Sequence, residues 1–209
     1  MQRLIAPALI AIAIGCFVAA HAQDSKNPKK DTADPKKAAA EMAAMMEKAK
    51  RFTQPGEHHK VLDRFLGKWT TDTRMFMDGK PTPPEKGTTE FSWLMAGRWM
   101  KVEWTSSMMG QPIQGFMLLG YDNFKQSFVT TTITSMDTAM VHLEGDMDPS
   151  GKALISYGTL DEYLTGEHDK MVKSVWRFPS KDKMVLEVHD LPIGEKNTMV
   201  FEVSYSRLP

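Results

Sequence analysis

Along much of the chain, apolar and polar residues alternate. Met100, Val102 and Trp104 stand against Lys101 and Glu103, and Met199, Phe201, Val203 and Tyr205 against Glu202 and Ser204. In an extended chain that alternation puts one apolar face opposite one wet face. Segments rich in Val, Ile, Thr, Phe, Trp and Tyr recur roughly every ten residues from Lys68 to the C-terminus, broken by Gly, Pro, Asp and Asn. They predict strands at 68–77, 87–95, 98–107, 114–121, 126–135, 138–146, 153–161, 170–178, 183–190 and 197–206. The connectors are short, among them Asp78-Gly79, Ala96-Gly97, Asp122-Asn123, Asp148-Pro149-Ser150-Gly151, Thr165-Gly166 and Ile193-Gly194. Short links favour hairpins between neighbours, and no helical stretch interrupts the series, which argues against a parallel sheet. An open sheet of this size leaves two long edges bare, whereas pairing the tenth strand with the first removes both. The predicted fold is all-β, an antiparallel up-and-down barrel of about ten strands.

Two helical patterns precede the strands. Asp34 followed by Pro35 is a helix start, since the carboxylate accepts free N–H groups and proline at the first helical position forfeits no bond. Met42, Met45, Met46, Ala49 and Phe52 then form one apolar stripe on a helix ending before Pro55. A second, short helix is predicted from Glu57 to Leu66, with Val61, Leu62, Phe65 and Leu66 on its buried side and Gly67 as its stop.

Composition adds a compartment but no reaction. The 209 residues carry 26 basic and 26 acidic side chains, 42% are hydrophobic and 25% charged, so no bulk field draws the chain toward nucleic acid. Arg3 precedes an apolar run from Leu4 to Ala20 that ends in Ala20-His21-Ala22. A positive start, an apolar middle and a small-x-small site read as a signal peptide over 1–22, giving a periplasmic or secreted protein with no membrane span after cleavage. An uncleaved anchor and lipid attachment at Cys16 are the alternatives. Cys16 is the only cysteine, so cleavage after Ala22 leaves no disulfide and no thiolate metal site. The expected organisation is a leader at 1–22, a linker with an amphipathic helix at 23–55 and a barrel domain at 56–209.

Gly67-Lys68-Trp69 stands at the start of the first strand, and Tyr205-Ser206-Arg207 ends the last. In a closed barrel these ends meet, and the Arg207 guanidinium can lie across the Trp69 ring. The pair resembles the signature of the lipocalin and calycin barrels, in which its role is to close the barrel's end. A longer series of motifs runs Glu57-His58, Gly67-Lys68-Trp69, Ala96-Gly97-Arg98, Met109-Gly110-Gln111-Pro112, Gly120-Tyr121-Asp122-Asn123, Ser135-Met136-Asp137-Thr138, Thr165-Gly166-Glu167, and Met199 with Glu202 and Tyr205. In this series the chain resembles the bacterial family known as domain of unknown function 1579. That resemblance implies a lipocalin-like barrel, often exported, with no assigned activity. Glu162-Tyr163-Leu164 and Val188-His189 depart from the family's pattern.

Barrels of this size enclose space for a small molecule, so the expected ligand is small and apolar or amphipathic. Candidate lining residues are Trp93, Met100, Val102, Trp104, Met117, Leu119, Trp176 and Phe201. Arg98 needs either a carboxylate partner or an anionic ligand head group if it turns inward. His142 and His189 lie on alternating strands and point either inward or to water; inward, one of them could serve a haem-binding barrel as single axial ligand. His59 and Asp63 share a helix face, and His168 falls in a turn with Asp169. The Met-striped helix is open to three readings: a mobile helix resting loosely on the domain, a lid or partner-docking module, or thioether coordination of copper. Gly-x-Ser-x-Gly, His-Glu-x-x-His, a phosphate-binding glycine loop and a dinucleotide fingerprint are all missing from the sequence, so no catalytic residue is nominated.

Overall fold

The computed structural model describes residues 34–77, 79–162, 166–191 and 198–209. The expected leader at 1–22 and the first part of the linker lie outside the described residues. The described residues divide into two units, one ending at Met46 and one from Glu47 to Pro209. Helix α1 (Pro35–Thr53) starts where the sequence places it, with the Lys36 N–H donating to Asp34 Oδ1 at 2.9 Å. No helix among the described residues is long and apolar enough to cross a membrane.

The second helix differs from the expected form. Glu57–Arg64 is a 3-10 helix, tighter than an α-helix, and its first turn is closed by the Gly56 N–H donating to His59 Nδ1 at 3.0 Å. Its buried side is Leu62, with Phe65 just beyond it, both without exposed surface, and His59 is buried as well. Val61 and Leu66 are only partly covered.

Among the described residues eleven strands follow: β1 (Gly67–Met77), β2 (Lys80–Pro81), β3 (Glu85–Met95), β4 (Trp99–Met108), β5 (Gln111–Asp122), β6 (Ser127–Thr134), β7 (Val141–Met147), β8 (Ala153–Glu162), β9 (Glu167–Ser180), β10 (Lys183–Asp190) and β11 (Thr198–Arg207). Apart from β2, a two-residue ribbon folded back on the end of β1, they are the ten strands of the sequence pattern. Each pairs antiparallel with its neighbour in the chain, and β11 returns to β1, from Trp69 opposite Arg207 to Met75 opposite Phe201. The sheet is a closed ten-stranded antiparallel barrel and leaves no long edge unpaired.

The two ends of the cylinder are finished differently. At one end lie the 3-10 helix, the short turns 96–98, 123–126, 148–152 and 181–182, and the last residues of β11. Phe65 sits inside a ring of aromatics there, 5.2 Å from Trp176, 5.4 Å from Phe91 and 5.0 Å from Phe178 between ring centroids. Tyr205 joins them at 5.4 Å from Trp176. Full burial of side chains this size contributes about 1.5–3 kcal/mol each, so this closed end is the core of the molecule. The opposite end is bounded by the connections after β1, β4, β6, β8 and β10.

Candidate functional site

The closing pair determines which end is sealed. The Arg207 guanidinium lies 4.0 Å above the Trp69 ring centroid. It donates to the carbonyls of Lys181 at 2.9 Å, Arg64 at 3.0 Å and Leu66, while the buried Trp69 Nε1–H donates to Phe65 O at 2.8 Å. One cation thus ties the 3-10 helix, the β9–β10 turn and both terminal strands together. Gly67 is required here on two counts. Its φ of +115° suits glycine, and a Cβ would meet Arg207 Nη1 at 2.8 Å.

Arg98 does not enter the barrel. It donates to the Thr53 carbonyl at the end of α1 and, at 3.2 Å, to Gln54 Oε1. A cation there meets the carbonyls a helix end leaves free. From the next turn Asn123 Nδ2 donates to Gln54 O at 2.8 Å, and Phe124 stacks on Phe52 at 4.4 Å. Asp122 Oδ1 holds that turn by accepting the Phe124 N–H at 2.7 Å. Both alternatives for Arg98, a carboxylate partner and a ligand head group, give way to a third: it binds backbone about 45 residues earlier in the chain. Beside it His58 stacks on Tyr121 at 4.5 Å and His59 meets the same ring edge-on at 5.5 Å. Burial, then the nearby Arg98 charge, lowers the His59 pKa, which keeps its ring neutral to accept the Gly56 N–H.

The expected lining residues separate into two groups. Met100, Val102 and Leu119 are at most 1% exposed and Trp176 is 4% exposed; they are packed into the closed-end core together with Met117, and Trp93 rests partly buried against the same core. Trp104 and Phe201 are also inward but only partly covered. The Trp104 ring spreads over Gly115 on the paired strand, where a Cβ would stand 2.0 Å from it.

Neither candidate haem ligand faces the interior. His142 alternates with the inward Leu143, is exposed, and has Nδ1 2.9 Å from Thr131 Oγ1. His189 lies on the outer side of β10 with Glu187, Nε2 to Oε2 3.6 Å, and Glu187 is held by Arg177 at 2.8 and 3.0 Å. Burial, then Lys173, lowers the His189 pKa. These residues do not fit an axial role inside the barrel.

The inward positions near the other end, which the sequence reading largely did not single out, form the candidate site. Along β8, Leu154 and Ser156 are buried, then Gly158 and Leu160 become partly exposed; along β7, Val141, Leu143 and Gly145 are partly exposed while the intervening His142 and Glu144 are exposed. Thr73, Thr132, Val188 and Phe201 share this intermediate state. A belt of buried hydroxyls, Thr71, Thr89, Thr130, Ser156 and Ser174, separates this half from the core. Among the described residues the inner face therefore grades from sealed at one end to solvent-reached at the other. Separately, an open groove of about 710 Å³ is lined by Lys68, Glu90, Glu103, Phe116 and Ile133 together with Trp69 and Trp104 among others.

The family model described as Protein of unknown function (DUF1579) matches residues 54–207. The chain belongs to that family. The matched span opens at Gln54, which Arg98 and Asn123 hold, and closes at Arg207, which covers Trp69. Among solved structures, Rv2717c from M. tuberculosis is similar at 10% identity and a TM-score of 0.56, covering 75% of this chain and 100% of that one. The S-type phycobiliprotein lyase CPES from Guillardia theta aligns at 11% identity and a TM-score of 0.49, covering 76% of this chain and 96% of its own. The first of these likenesses shows a shared fold. No curated protein sequence matches the chain.

Proposed function

We propose that this family member is an exported, non-enzymatic carrier that holds a small apolar or amphipathic molecule in the open half of its barrel. One observation carries the reading: Val141, Leu143, Leu160, Val188 and Phe201 stay partly exposed although they sit on the face that the rest of the fold buries. Leaving apolar surface wet forgoes roughly 25 cal/mol per Å², and the apolar part of a ligand recovers it. The mixture of these side chains with the Thr73 and Thr132 hydroxyls is what small-molecule pockets use, with apolar walls for affinity and a few polar groups for orientation. Export rests on the leader pattern at 1–22.

Native mass spectrometry of protein taken from its own compartment tests the reading. The expected result is a chain beginning at Gln23 with a bound mass that organic extraction removes and a neutral apolar dye replaces. A chain that retains no molecule and binds no such dye overturns it. A second reading, docking of a partner through α1, is favoured by the exposure of Met42, Met45 and Met46. Deleting residues 35–46 then abolishes a purified complex and leaves the melting of the barrel unchanged.

A further inference from the structure

We propose that the Lys170–Asp190 ion pair anchors the polar end of the ligand, and that it selects a cationic or neutral hydrogen-bond-donating head group and rejects a carboxylate or phosphate. The inference rests on the carrier reading above and adds the class of ligand to it.

Strand register places both side chains on the inner face. Lys170 stands opposite Leu160 and Asp190 opposite Val172, in phase with the inward Ser174 and Trp176. Their side chains are 24% and 22% exposed, neither sealed like the core nor loose on the rim, and Lys170 Nζ lies 2.9 Å from Asp190 Oδ2. The same ammonium is 3.3 Å from Glu167 Oε2. Hydrogen bonding to Asp190 above all keeps Lys170 charged by raising its pKa.

The second observation is local. Asp190 Oδ1 is withdrawn from solvent and accepts no hydrogen bond among the described residues, although a carboxylate has about four acceptor sites. A withdrawn, unused acceptor is costly. Rotation about the terminal torsion exchanges its two oxygens, so a donor arriving from the open half can pair with the carboxylate while Lys170 stays bound. An incoming carboxylate instead meets the like charge of Asp190 and must pull Lys170 away from a partner it already has. The apolar walls of Leu143, Leu160 and Phe201 take the tail.

Displacement of the neutral dye N-phenyl-1-naphthylamine from the full mature chain at pH 7.5 tests this with three tails of equal length. Dodecylamine and dodecanol should displace the dye, and dodecanoate should need at least tenfold more. Asp190→Asn should weaken dodecylamine at least fivefold and narrow the gap to dodecanoate. The wild-type series decides the matter even where that variant does not fold. Dodecanoate competing as well as dodecylamine overturns the anchor and leaves the carrier reading standing. A chain that binds neither dye nor amphiphile overturns both.

Discussion

At the closed end Leu62 and Phe65 are fully buried and Arg207 covers Trp69; at the open end Leu143, Leu160 and Phe201 occupy equally inward positions and stay within reach of solvent. The strands are the same at both ends and continue through the hydroxyl belt. What differs is the material brought from outside the strand series. One end receives a 3-10 helix, the anchored end of α1 and an arginine that binds three carbonyls, and among the described residues the other receives no such plug. Alternation therefore decides which side chains point inward, while the plug decides which of them become core.

The largest effect expected from this contrast is on stability. Phe65→Ala removes the centre of the plug and should cost about 3–5 kcal/mol, whereas Phe201→Ala, already partly wet, should cost about 1 kcal/mol or less. Urea titration of both variants measures the difference, and equal losses would show that the open half is packed as well as the closed one. Next in size is Arg207→Ala. It strips the Trp69 ring of its cation and leaves the carbonyls of Arg64, Leu66 and Lys181 without that donor, for about 2–3 kcal/mol. Arg207→Lys should recover only a part of this, because an ammonium cannot present the planar fork that spans three acceptors. Full rescue by lysine would reduce the contact to simple charge.

Much of the architecture was legible beforehand for a physical reason. Period-two alternation and turn residues are local, and strand β10 (Lys183–Asp190) has the bounds expected from sequence. The Trp69–Arg207 register was legible because closure of ten antiparallel strands forces their ends together. The ribbon β2 was not, since two residues carry no period. The 3-10 form of Glu57–Arg64 was hidden as well, because its apolar spacing also suits an α-helix. The partner of Arg98 depends on a helix end about 45 residues away, and no local pattern encodes that. The lining set went astray for the same reason. Met100, Val102 and Leu119 alternate as Leu143 and Leu160 do, and only the plug separates them. Lys170 and Asp190, single charges at strand ends, have the sequence pattern of rim residues, and only strand register places them on the inner face.

Titration sharpens the contrast through His59, whose pKa the closed end lowers, by burial first and by Arg98 next. The unfolded chain titrates this group near 6.5 and takes up its proton more readily than the folded one. Its contribution is then complete above that pH and falls as pH drops through it toward the folded-state value. His189 shifts in the same direction, so His59→Asn, which keeps an acceptor for the Gly56 N–H, should flatten the loss of stability between pH 7.5 and 5.5 without abolishing it. An unchanged slope in urea titrations across that range would locate the acid sensitivity elsewhere.

The smallest expected change has the opposite sign. Met109 and Gly110 connect β4 to β5 at the open end, both with positive φ, 52° and 78°, the backbone of a two-residue hairpin turn that prefers Asn-Gly. Methionine in the left-handed region is disfavoured by roughly 1–2 kcal/mol, and here it is also 76% exposed, so no burial offsets the strain. Asparagine tolerates the conformation, and Met109→Asn should stabilise the protein by about 0.5–1 kcal/mol, read as a higher urea midpoint at unchanged slope. If an apolar residue stands at the mouth because it helps an apolar tail to enter, the same variant should slow uptake of the dye while its equilibrium binding stays within about twofold, a split that stopped-flow fluorescence resolves. A variant that is more stable and loads as fast would leave the strain at Met109 without a role in uptake, and the difference between the two ends would then rest on packing alone.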